Sequence, residues 1–73
     1  MKTTQPPPSI LTPREQEVLK HISEGLSARQ VAEHLEISIK TVETHRTHIM
    51  VKLDIHNIAG LVKYAIRVGI TTL

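Results

Sequence analysis

Apolar residues recur three and four positions apart in four stretches of the chain. Val18, Leu19 and Ile22 form the first stripe, and Val31, Ala32 and Leu35 the second. Val42, His45, Ile49 and Leu53 share a face in the third, and Ile58, Leu61, Val62, Ala65 and Ile66 crowd the fourth. Spacing of this kind lines one side of an α-helix. No alternating stretch of convincing length competes with it, and no repeat is evident. The pattern predicts an all-α chain of four helices.

Each stripe is preceded by a residue able to cap a helix. Thr12 stands before Pro13, which suits the first helical position, and Glu15 completes a Thr-x-x-Glu capping box. Ser27 opens the second helix with Gln30 three residues on, Ser38 opens a third that runs to about Leu53, and Asn57 opens the fourth. Gly25 and Gly69 suit the left-handed residue that ends a helix. Gly60 falls inside the fourth helix, where it costs about 1 kcal/mol relative to alanine. Residues 1–9 (MKTTQPPPS) hold three consecutive prolines, which lack amide donors and favour extended polyproline geometry. The chain thus divides into a Pro-rich linker or free N-terminus (1–9), a helical domain (10–70) and a short tail (71–73).

Only Glu36, Ile37 and the cap Ser38 separate the second helix from the third. So short a joint between an eight-residue helix and a longer one predicts the sharp corner of a helix-turn-helix, although an unrelated helical hairpin shares the spacing. Ala32 is small enough to let the two helices cross closely, and Ile37 can plug the corner. The turn has no glycine, so Glu36 or a neighbour must manage the backbone.

Composition narrows the chemistry. At 73 residues the chain is one small domain, of a size that buries only about 60% of its unfolded surface. The absence of cysteine removes disulfides, thiolate nucleophiles and cysteine-based zinc sites. Tyr64 is the only aromatic residue, which argues against single-strand and RNA modules that stack bases on aromatic platforms. No apolar run is long enough to span a membrane and no signal-peptide core follows Met1-Lys2, so the expected compartment is the cytoplasm. Net charge is only +2, but residues 38–73 carry Lys40, Arg46, Lys52, Lys63 and Arg67 against Glu43 and Asp54. The C-terminal half is therefore the side that would face a polyanion.

The residues themselves carry a resemblance. Leu11-Thr12-Pro13-Arg14-Glu15-Gln16-Glu17-Val18-Leu19 resembles the opening of the LuxR-type (GerE or NarL/FixJ) DNA-binding domain, as does Gly25-Leu26-Ser27 followed by Val31-Ala32 and Leu35. The strongest match is Ser38-x-x-Thr41-Val42-Glu43-Thr44-His45-Arg46, then Ile49-Met50, Lys52-Leu53, Leu61-Val62-x-Tyr64-Ala65-Ile66 and Gly69. It spans roughly residues 10–70. The resemblance implies a four-helix, wingless helix-turn-helix whose third helix lies in the DNA major groove and whose fourth pairs two copies. Ile58, Leu61, Val62, Ala65 and Ile66 are more apolar residues than one side of that helix needs to cover a small core, so some of them are expected to pair across a two-fold axis. It also implies the output domain of a response regulator, or a stand-alone regulator of transcription. Two positions depart from the family: Ile58, where arginine is common, and Gly60, where an acidic or amide residue is common.

With Val42, His45, Ile49 and Leu53 turned inward, the third helix is expected to present Lys40, Thr41, Glu43, Thr44, Thr47 and His48 outward, with Met50-Val51 as candidates for the same face. Glu43, Thr44 and Thr47 occupy positions similar to the family's base-reading set. A carboxylate there can accept from cytosine N4, and a threonine methyl can touch thymine. Lys40, Arg46 and Lys52 are the expected phosphate contacts, with Thr41, His48 and the helix starts at Ser27 and Ser38 beside them. For Arg46 the alternative is a surface ion pair with Glu43. His45, as in similar domains, is expected in the core with its ring nitrogen hydrogen-bonded, and His21, His34 and His56 at the surface. His45 and His48 share a helical face, but no third ligand stands at a recognisable spacing, so no metal or other cofactor is expected. No nucleophile–base pair, phosphate-cradling glycine loop or carboxylate pair appears, which argues against an enzyme and against a small-molecule site.

The sequence thus reads as an all-α transcription regulator domain that binds double-stranded DNA as a weak homodimer, strengthened on a roughly palindromic site, with RNA polymerase as a further partner. Two alternatives remain at this stage. One is a sigma-factor-like promoter-recognition domain, against which the long fourth helix stands. The other is a helical protein-interaction module that docks a partner on that helix.

Overall fold

A computed structural model describes residues 7–71. Four α-helices follow one another: α1 (Pro13–Ser23), α2 (Ala28–Leu35), α3 (Ile39–Leu53) and α4 (Ile58–Arg67). No strand forms among the described residues. Helix α1 is the hub, packing against each of the other three, while α2 also packs on α3. Val18, Leu19 and Ile22 of α1 meet Val31 and Ala32 of α2, Val42, Ile49 and Leu53 of α3, and Leu61, Tyr64 and Ala65 of α4 in one buried cluster, joined by Leu11. Burial raises the Tyr64 phenol above its ordinary value.

Each helix begins at the expected cap. Thr12 and Ser27 make reciprocal capping boxes with Glu15 and Gln30. The Ser38 hydroxyl accepts from the Thr41 amide at 3.0 Å, and the Asn57 carboxamide oxygen accepts from the Gly60 amide at 2.7 Å. The ends share one device. Gly25, Glu36, Asp54 and Gly69 all have positive φ. The amide of the next residue (Leu26, Ile37, Ile55, Ile70) then donates to a carbonyl five residues back (His21, Ala32, Met50, Ala65). Those four apolar residues fold back against the core. Each helix therefore stops by a Schellman-type turn with its hydrophobic contact. In the α2–α3 corner Glu36 takes the left-handed conformation itself (φ 57°), and Asp54 does the same after α3 (φ 55°).

The structure corrects the sequence reading in several places. Residues 1–6 and 72–73 lie outside the described residues, so the linker and tail are only partly visible. Pro7 is extended (φ −69°, ψ 154°), as the prolines predict, but Pro8–Ile10 closes into a 3-10 turn. The Gln16 side-chain amide holds it by donating to the Pro8 carbonyl at 3.0 Å. Thr71, assigned to the tail, is buried.

Gly60 does not behave as a replaceable helix glycine. A methyl group at its Cα would lie 2.6 Å from Ile55 Cγ2 and 3.2 Å from the capping oxygen of Asn57. The α3–α4 turn presses against the start of α4, and only glycine leaves room for it. His21, expected at the surface, is half-buried, its ring 5.3 Å from that of His34.

Candidate nucleic-acid interface

Helix α3 is built from two faces. Val42, Ile49 and Leu53 are buried against α1 and α2, while Lys40, Thr41, Glu43, Thr44, Thr47, His48 and Val51 are exposed. Ile39, Lys40, Glu43, Thr44 and Thr47 line a shallow open groove along the outer side of the helix. Glu43, Thr44 and Thr47, the expected base-reading set, therefore lie together with Lys40 on one uncovered surface. Two hydroxyls there already have partners. Ser38 Oγ and Thr41 Oγ1 are 2.8 Å apart, and Thr47 Oγ1 donates to the Glu43 carbonyl at 3.0 Å.

The expected phosphate contacts divide. Lys40, Thr41 and His48 are exposed on α3, and Ser27 and Ser38 cap the starts of α2 and α3. Arg46 is half-buried and makes no ion pair with Glu43 among the described residues. Instead both line a cleft of about 260 Å³ shared with Gly25, Ser27, Ala28 and Ile58. That cleft brings the guanidinium side chain of α3 beside the start of α2, which the charge pattern alone did not indicate.

Lys52, expected as a phosphate contact, is paired within the domain. Its Nζ donates to Glu15 Oε1 at 2.7 Å, and the same oxygen accepts the Thr12 amide at 2.9 Å. The Glu15 carboxylate is only 3% exposed, and the second oxygen lies 4.0 Å from His48 Nδ1. Burial raises the Glu15 carboxyl, but the Lys52 hydrogen bond, the Thr12 amide and the nearby ammonium charge outweigh it, and its pKa falls below the ordinary value of 4.5. Glu15 thus ties the capping box of α1 to the last turn of α3. Sequence reasoning saw the cap and missed the tie, because nothing local marks a pair 37 residues apart.

His45 sits at the edge of the α3 core stripe. It is half-buried, and Nδ1 is sealed from solvent without a hydrogen-bond partner among the described residues, contrary to the expected satisfied core histidine.

On α4 the five apolar residues assigned to a partner copy also separate. Leu61 and Ala65 are wholly buried against α1 and unavailable to a second chain. Ile58 is 43% exposed, and Val62 and Ile66 are half-buried on the adjoining flank. The outward stripe is therefore Ile58, Val62 and Ile66, at i, i+4 and i+8.

The sequence that builds this face is similar to known proteins. Residues 9–65 fit the family described as bacterial regulatory proteins, luxR family. The chain belongs to the luxR family. It is 48% identical over 63 residues to the uncharacterized response regulatory protein YgeK of Escherichia coli (strain K12), covering 86% of this chain and 43% of that protein. It is 46% identical over 65 residues to the oxygen regulatory protein NreC of Staphylococcus haemolyticus (strain JCSC1435), covering 89% of this chain and 30% of NreC. NreC of Staphylococcus carnosus (strain TM300) is 45% identical over 65 residues, with the same coverage. The chain thus spans less than half the length of these relatives. As a luxR-family helix-turn-helix it is a DNA-binding transcription regulator domain, which sets aside the sigma-factor-like reading. No helix among the described residues is long and apolar enough to cross a membrane.

Proposed function

We propose that this domain is the DNA-reading output of a response regulator, working in the cytoplasm alongside RNA polymerase. Helix α3 enters the major groove with Glu43, Thr44 and Thr47 at base edges. Lys40, Thr41, Arg46, His48 and the starts of α2 and α3 face the phosphates. Two copies meet through Ile58, Val62 and Ile66 on a roughly palindromic site. The observation that carries this reading is the uncovered face of α3, where Lys40, Glu43, Thr44 and Thr47 stand exposed on a helix whose other side is locked in the core. An α-helix fits the major groove, and its N-terminal turns reach the bases.

A carboxylate among phosphates is repulsive, so Glu43 favours binding only where it accepts from a base donor such as cytosine N4. The test is selection of bound duplexes from a random pool, followed by titration at several salt concentrations. Wild type enriches a site with two half-sites. Arg46→Ala lowers the salt slope by about 0.9 and weakens all sequences alike. Glu43→Ala instead holds or tightens non-specific binding and loses about 1–3 kcal/mol of discrimination at one base pair per half-site. Unchanged base preference in Glu43→Ala would remove that residue from the reading set.

A further inference from the structure

Val51 is 66% exposed, against 42–43% for Ile10, Ile39 and Ile58, the other large apolar residues on the surface. It lies on α3, between half-buried Met50 and Lys52, and its own side chain contributes little to the core. Its position in the helix gives that exposure a direction. Thr44, Thr47, His48 and Val51 stand at i, i+3, i+4 and i+7, so they form one continuous stripe down the outer side of α3. The stripe begins with Thr44 and Thr47, which the proposed function already places at base edges. Its chemistry also changes along its length. The Thr47 hydroxyl spends its single donor on the Glu43 carbonyl, which leaves the methyl as a principal group for the groove. Val51 carries two methyls and no polar atom.

We propose that Val51 is a specificity-determining residue that reads the C5-methyl group of thymine, extending the base-reading stripe by one helical turn beyond Thr47. The inference rests on α3 occupying the major groove. Only thymine presents a methyl group there, and apolar side chains are its natural contact. The four residues from Thr47 to Val51 advance about 6 Å along the helix axis. Successive base pairs are about 3.4 Å apart, so a separation of this size sets the two side chains over different base pairs. An exposed valine on a face otherwise polar gains nothing in the free protein. Covering it with a thymine methyl removes apolar surface from water at the moment of binding.

The experiment removes the methyl from the DNA and leaves its pairing edge intact. From the duplex selected with the full chain, each thymine is replaced in turn by uracil. Affinities are then measured for wild type, Val51→Ala and Thr47→Ser. Loss of one buried methyl corresponds to about a threefold to fivefold weakening. Wild type shows that loss at one thymine per half-site for which Val51→Ala is indifferent, while Thr47→Ser loses sensitivity at a different thymine. Equal sensitivity of wild type and Val51→Ala at every thymine, or an enriched site with no methyl-sensitive position, overturns the role of Val51 and leaves the DNA reading standing. A pool that yields no enriched duplex overturns both. The exposure of Val51 means that its replacement does not disturb folding, and a thermal melt of the variant checks this directly.

Discussion

Glu36 and Gly60 occupy each other's natural places. Glu36 holds a left-handed conformation (φ 57°) that costs a residue with a Cβ about 1–2 kcal/mol, and glycine nothing. Its side chain is exposed and makes no ion pair among the described residues. Glu36→Gly is therefore expected to stabilise the domain by about 0.5–1 kcal/mol, part of the gain being offset by the freer unfolded chain. Gly60→Ala runs the other way. Helix propensity alone favours alanine, but the added methyl would sit 2.6 Å from Ile55 Cγ2 and crowd the Asn57 cap. The expected cost is about 1–2 kcal/mol, as for overpacking elsewhere. Urea titration of both variants checks the pair, and equal signs would refute the account. A scale of intrinsic propensities ranks these two substitutions in the wrong order, because it knows neither the handedness of the one site nor the neighbour of the other.

At the level of elements, α3 is held by apolar packing and by the Lys52–Glu15 tie to α1. The carboxylate is almost wholly buried, while about a third of the Lys52 side chain meets solvent. Lys52→Met leaves a buried carboxylate without its counter-charge. A loss of about 2 kcal/mol at neutral pH is expected, below the range for a fully buried pair because Lys52 is partly screened. The folded pKa of Glu15 is depressed, so its contribution is complete above the ordinary value of 4.5 and disappears as pH falls through the lower folded value. Denaturation followed from neutral to acid pH will show the wild-type advantage over Lys52→Met shrinking in that window. A difference independent of pH would assign the loss to packing of the lysine stem.

The same pair marks the limit of what could be read from the sequence. Thr12, Ser27, Ser38 and Asn57 announce their helices because a cap acts within three residues. The outward stripe of α3 was equally legible, since the buried positions of one helix define the rest. Glu15 and Lys52 meet only because α1 and α3 pack. Nor could apolarity separate Leu61 and Ala65 from Ile58, Val62 and Ile66, since the side of α4 that turns inward is decided by where α1 lies.

For the whole molecule, burial of Leu61 and Ala65 leaves only three aliphatic side chains on α4, Ile58, Val62 and Ile66, for the proposed pairing of two copies. Stable interfaces bury about 1,200–2,000 Å² in total, well beyond what such a stripe offers. Sedimentation is expected to find a monomer at micromolar concentration and two copies on a selected duplex, with half-sites about one helical turn apart. A tight dimer in the absence of DNA would mean that a larger surface is used. Because Leu26, Ile37, Ile55 and Ile70 fold back into the core and their amides are bonded to the helices they terminate, the corners belong to the same cooperative unit as the helices. In native-state hydrogen exchange these four turn amides are expected to open only with global unfolding, as slowly as the interior of α1, whereas ordinary loop amides exchange through local fraying. Corners protected in that way would give the α2–α3 angle little freedom while the domain is folded, and adaptation at the proposed interface would fall to side chains and to the duplex.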